Sequence, residues 1–179
     1  MLHDRTDEIT IGEEAMEQEV RPKLELKHLI PGFTLQTADG RTVSTSQFKE
    51  RKNLVILLFD LRSSRDWEAL AEIKRRYPEF KNANAEVLAI SNGPMEELKD
   101  CACQMGLPFD VLCDCRDEIK CAFCVYESTL FVADKFGELR LQASVTDTVD
   151  KALKDALTAV ELAELECPEC GVSTWPEFG

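Results

Sequence analysis

The chain has 179 residues, 44% of them hydrophobic, a formal net charge of −13 at pH 7 and a sequence pI of about 4.6. That length fits one domain with additions, or two small ones, and so acidic a field excludes nucleic acid and anionic lipid as default partners. The longest apolar run, Leu54 to Phe59, is far short of the roughly 20 residues a membrane span needs, and MLHDRTDEITIGEE lacks the apolar core of a signal peptide, so a soluble, cytoplasmic protein is expected.

Residues 1–23 read as a charged, flexible acidic arm with a short helix from Glu13 to Val20, residues 24–165 as the folded domain, and residues 166–179 as a cysteine-containing tail. Within the domain, Phe33 to Thr37 and Thr42 to Ser44 flank Ala38-Asp39-Gly40-Arg41, whose Asp-Gly pair predicts a hairpin turn. Thr45 to Phe48 reads as one hydroxyl-capped helical turn. Asn53 to Phe59 is continuously apolar, the pattern of a strand buried on both faces. From Ser63 to Phe80 the period becomes helical, with Ser63 or Ser64 as cap. Ala85 to Ile90 is a second buried strand. Gly93-Pro94 punctuates a loop and cradles no phosphate, so no nucleotide cofactor is expected. A helix from Pro94 to Met105 stops at Gly106. Phe109 to Cys113 reads as a short strand, Asp117 to Val125 as a short helix, and Ser128 to Ala133 and Glu138 to Gln142 as a hairpin around Asp134 to Gly137. Val149 to Leu165 is the last helix.

This order predicts an α/β protein with a mixed central sheet and helices on both faces. The segments PGFTLQTADGRTVSTSQFK, NLVILLFD, AEVLAISNGPMEELK, LPFDVLCD and STLFVADKFGELR, taken together over residues 29–162, resemble the alkyl hydroperoxide reductase/thiol-specific antioxidant family, peroxiredoxin-like members of the thioredoxin-like fold. The resemblance implies a peroxidatic cysteine opening the long helix, where the positive helix end favours a thiolate. Here Phe59 to Glu68 contains no cysteine: Asp66 stands near the nucleophile's position and Ser63 at that of the family's threonine. The arginine that the family places before the strand Thr129 to Ala133 is matched by Ser128, and the cis-proline of thioredoxins is absent there too. Arg62 or Arg65 could restore the charge but not the nucleophile. Ordinary peroxidase activity is therefore not expected.

Eight cysteines fall in four close pairs: Cys101/Cys103, Cys113/Cys115, Cys121/Cys124 and Cys167/Cys170. In a reducing compartment such pairs read as metal-binding or redox-active before structural. The two histidines, His3 and His28, precede the domain's core, so a metal site later in the chain would be built from thiolates, alone or with carboxylates. Cys167-Pro168-Glu169-Cys170-Gly171 resembles half of a zinc ribbon. Cys121 and Cys124, three apart on a predicted helix and about 5–6 Å apart at Cβ, could complete a four-sulfur site with it. Zinc is the first candidate and an iron–sulfur cluster the second. Residues 125–166 separate the two pairs, so the tail would have to fold back or reach the other subunit of a homodimer. The competing reading is a thiol–disulfide redox protein using its C-x-x-C pairs with a thiol partner protein. Cys113 and Cys115, if extended, are expected too far apart to bond. Cys101 and Cys103 point to different faces of their helix, one of them core. Asp114, Asp117 and Glu118 are expected as a solvated acidic loop, with hard metal ligation as the alternative.

Overall fold

The structure, a computed structural model, describes residues 24–146 and 148–166. The expected helix Glu13–Val20 and the tail pair Cys167 and Cys170 lie outside these residues.

The apolar run places β3 (Asn53–Leu58) in the middle of a mixed seven-stranded sheet. Its order is β2-β1-β5-β4-β3-β6-β7, with β1 at Thr34–Thr37, β2 at Thr42–Ser44, β4 at Ala85–Ser91, β5 at Asp110–Cys113, β6 at Thr129–Ala133 and β7 at Leu139–Ser144. Strands β3, β4 and β5 are parallel, while β6 runs antiparallel to β3 and β1 antiparallel to β5. The Asp-Gly hairpin forms as expected, with Gly40 at φ 90°. Strand β7 starts and ends later than predicted, and its pairing with β6 slips at Val132/Ala133.

Alternation along β3 splits the core into two layers. Val55, Leu57 and Phe59 pack with the apolar faces of α1 (Ser64–Asn82), α2 (Met95–Met105) and α4 (Val149–Leu165). Leu54, Ile56 and Leu58 face Ile30, Phe33 and the residues around α3 (Glu118–Ala122). Helices thus cover both faces, with the longer ones on the first. No described helix is long and apolar enough to cross a membrane.

Helix α1 runs past the predicted stop at Phe80, continuing through Pro78. Its second half is tied to β4 through Glu86, whose carboxylate accepts from Tyr77 Oη (2.7 Å), Lys81 Nζ (3.0 Å) and Lys52 Nζ (3.1 Å). Burial opposes ionisation of Glu86, but these three donors outweigh it and hold its carboxyl below the ordinary value of 4.5. Burial and the same carboxylate push Tyr77 up to about 12. A depressed carboxyl stabilises the fold above its unfolded value, and that stability is lost as pH falls through its folded value. Glu86→Gln is therefore expected to cost about 1 kcal/mol at neutral pH and to flatten the loss of stability between neutrality and acid. Urea unfolding at several pH values checks this; a parallel offset at every pH would assign the stability change to packing alone.

Candidate functional site

The three parallel strands end on one edge of the sheet, and β6 begins there. Leu58 pairs with Ile90 and Thr129, and Ser91 pairs with Cys113. The edge therefore brings together the C-terminal ends of β3, β4 and β5, the start of α1 and the residue before β6.

At the β3–α1 end, Ser63 caps the helix and its hydroxyl accepts the Asp66 N–H at 3.3 Å. Asp66, in the first turn, is 1% exposed. One of its carboxylate oxygens accepts the Asp60 N–H at 2.7 Å and the Ser128 hydroxyl at 2.5 Å. Ser63, Asp66 and Ser128 thus form one hydrogen-bonded cluster. It is a buried polar group with its donors in place, the arrangement a folded interior requires. Beside it, the Trp67 indole N–H donates to the Leu61 carbonyl at 2.8 Å, as a packed and satisfied side chain. Arg62 and Arg65 are exposed, and Arg65 donates to the Thr146 carbonyl.

At the β5 end the structure corrects the sequence reading: Cys113 and Cys115 are joined by a disulfide, with Cα atoms 5.4 Å apart. Extended chain would separate residues two apart by about 6.6 Å. Here the strand stops at Cys113 and a turn follows Asp114, which draws the second cysteine back toward the first. Cys113 is 5% exposed, and its Sγ lies 3.6 Å from the Gly93 carbonyl oxygen. Cys115 is exposed. Gly93 lies so close to Leu61 that any side chain there would displace it, so the loops after β3 and β4 are in contact beside the disulfide.

Asp114, between the two cysteines, is not a solvated acid, and among the described residues it belongs to no metal-ligand cluster. It is 2% exposed, its N–H donates to the Ser91 carbonyl at 2.8 Å, and its carboxylate accepts the N–H groups of Glu118, Ile119 and Lys120 at 2.9, 2.9 and 3.3 Å. The start of α3 is thus capped from inside the C-D-C segment. Sequence reasoning missed this role. The signal was an acid four residues before a helical start, on a turn where a strand ends.

The remaining cysteines divide by burial. Cys101 is core, and burial pushes its thiol above its ordinary value, which keeps it protonated. Cys103, two residues on, is exposed, as the opposite-faces reading requires. The predicted helix over Asp117 to Val125 is shorter than expected: α3 ends at Ala122, and Cys124 has φ 54°, in the left-handed region. Cys121 and Cys124 therefore do not share a continuous helical face, and Cys124 Sγ donates to the Cys121 carbonyl at 3.6 Å. Among the described residues, no group of three or more His, Cys, Asp or Glu side chains is placed to hold a metal ion. The tail half of the four-sulfur site, Cys167 and Cys170, lies outside them.

The sheet order, its covering helices and the loop-to-α1 edge define a thioredoxin-like protein of the peroxiredoxin type. The model of the AhpC/TSA family matches residues 26–142, and the chain belongs to that family. It is 32% identical over 109 residues to a chloroplastic peroxiredoxin Q of Oryza sativa subsp. japonica, covering 61% of this chain and 48% of the relative. It is 32% identical over 85 residues to the alkyl hydroperoxide reductase E of Mycobacterium tuberculosis, covering 47% of this chain and 56% of that one. The chain thus spans about half the length of the curated relatives it matches. Among solved structures, peroxidoxin BcpB from Mycobacterium tuberculosis aligns with a TM-score of 0.73 at 16% identity, over 78% of this chain and 97% of that one. Peroxiredoxin Q of Xanthomonas campestris aligns at 0.67 and 17% identity, over 73% and 90%. These similarities carry the fold.

Proposed function

We propose that the protein is a thiol–disulfide redox protein in which the Cys113–Cys115 pair exchanges electrons with a thiol partner protein, and in which the family's peroxidase position is degenerate. The observation that carries this reading is a disulfide between residues two apart, half of it on the surface, at the edge where the parallel strands end. Such a bond contributes little as a staple. In the chain-entropy account, closing a three-residue loop stabilises by about 1.6 kcal/mol, against about 4.7 kcal/mol for a 100-residue loop. A bond with so small a structural effect can open and close while the surrounding sheet stays folded.

The degenerate position rests on the cluster around Asp66. A carboxylate held by a backbone N–H and a hydroxyl occupies the first turn of α1, and the thiolate is the nucleophile in thiol chemistry. The metal-binding alternative needs the tail cysteines, and no described cluster favours it. While the Cys113–Cys115 bond stands, neither sulfur is a thiolate ligand.

The test is redox equilibration of the full chain in glutathione buffers of graded poise, followed by acid quench, alkylation and peptide mass mapping. Cys113 and Cys115 are expected to become alkylated together, with a midpoint in the range of about −180 to −300 mV in which exchanging disulfides lie. In Cys115→Ser the poise-dependent paired alkylation is expected to vanish. A native bond that persists across the whole series, opening only in denaturant, would make it a structural element and end the proposal.

A further inference from the structure

The two sulfurs of the bond are not equivalent, and the difference assigns a direction to the exchange. Thiol–disulfide exchange proceeds by attack of a thiolate on one sulfur while the other leaves, and access helps decide which sulfur is attacked. Cys115 is exposed and follows the strand end, on a turn. Cys113 is the last residue of β5 and 5% exposed, paired with Ser91 on one side and Gln36 on the other. Its sulfur belongs to the core layer beneath α1 and α2 and has the Gly93 carbonyl oxygen 3.6 Å away.

Resting on the exchange reading above, we propose that Cys115 Sγ is the sulfur a partner thiolate attacks, that Cys113 Sγ is the leaving group, and that the Gly93 carbonyl is the acceptor for the thiol that leaving creates. The partner, by this chemistry, is a dithiol. Its first thiolate forms a bond to Cys115 Sγ as the Cys113–Cys115 bond breaks. The electron pair of that bond goes to Cys113, which takes a proton from solvent and becomes a neutral thiol. An S–H is a weak donor, and Gly93 offers it a carbonyl without movement of the strand. The partner's second thiolate then attacks the partner's own sulfur in the mixed disulfide. Cys115 is released as a thiolate and protonated, and the partner departs as a disulfide. Two electrons have passed from the partner to the Cys113/Cys115 pair, and no further reactant is needed. Burial keeps the leaving sulfur out of reach of a second nucleophile, so the mixed disulfide forms at one position.

Gly93 is a positioning residue in this scheme. Its Cα packs against the end of the Leu61 side chain, and its carbonyl oxygen lies 3.6 Å from Cys113 Sγ.

The experiment uses the oxidised full chain and glutathione as the monothiol probe, which can form the mixed disulfide but cannot resolve it as a dithiol would. Early time points are quenched in acid and mapped by peptide mass spectrometry. Glutathione is expected on Cys115 with Cys113 alkylatable, in at least about tenfold excess over the reverse pattern, given the access dependence of exchange. Equal labelling, or glutathione on Cys113, would overturn the assignment while leaving the exchange reading intact. Absence of any adduct, with the bond unopened, would overturn both. Single variants give a second measure that requires no disulfide. With Ellman's reagent on native protein, Cys115 in Cys113→Ser is expected to react at least about tenfold faster than Cys113 in Cys115→Ser, each followed by peptide mapping because Cys103 and Cys121 are also exposed. Comparable rates in two folded variants would remove the directional argument.

Discussion

Hydrogen peroxide given to the reduced protein with a dithiol supply is expected to be consumed no faster than exposed thiols such as Cys103 and Cys121 consume it unaided. The first turn of α1 is where the fold concentrates positive potential, and in this chain the side chain receiving it is Asp66. Its carboxylate already accepts from Asp60 N–H and Ser128 Oγ, and a carboxylate cannot be oxidised and resolved as a thiolate can. Asp66→Cys should therefore change the chemistry in kind. A thiol at that position would face the Asp60 N–H and the helix start, which favour its ionised form against the burial that opposes it, and peroxide-dependent oxidation at residue 66 is expected to rise above the parent's background. Stopped-flow peroxide consumption with mass mapping of sulfenic acid checks both halves. Turnover in the parent that one native Cys→Ser change abolishes would place a peroxidase centre elsewhere in the chain.

Asp114→Ala is expected to be the most damaging single change near the disulfide. The substitution removes a buried acceptor and leaves the N–H groups of Glu118, Ile119 and Lys120 without the partner they have now. Those three bonds are the helix cap; losing a cap costs about 0.5–2 kcal/mol, and the buried Ile119 N–H, left unsatisfied, sets the loss toward the upper end, about 2 kcal/mol, read as a fall in the urea midpoint with little change in slope. Asp114→Asn, which keeps one acceptor oxygen in place, should lose less. Hydrogen exchange at residues 118–120 locates the effect: those amides should lose protection in Asp114→Ala before the amides of β3 do. Uniform loss across the domain would show that Asp114 acts on the global fold and not on α3.

The main architecture was legible because it depends on patterns carried along the chain. The NLVILLF run is apolar at every position, and only a strand covered on both faces uses that. Ser63 three residues before Asp66, and Gly106 after Met105, are local signals whose consequences are local. The convergence of Ser63, Asp66 and Ser128 was also legible, but only through the family resemblance, since 62 residues separate the last two. The disulfide was not legible. Whether two cysteines flanking one residue can bond depends on backbone direction at the residue between them, and C-D-C carries no glycine or proline to announce a turn. The end of α3 was hidden for a related reason: Cys124 takes a left-handed conformation that is rare for a residue with a Cβ. Asp114 read as one acid among several because its three partners are backbone groups.

The shared edge of β3, β4 and β5 also bears on where chemistry can be placed on this fold. Parallel strands present their C-terminal ends together, so neighbouring loops are alternative places for a reactive group on one unchanged scaffold. In this chain the start of α1 holds a carboxylate and the end of β5 holds the paired sulfurs, two strands away on the same rim. On the exchange reading proposed above, one scaffold of fixed topology offers its chemistry a second address, two strands from the start of α1 and on the same rim.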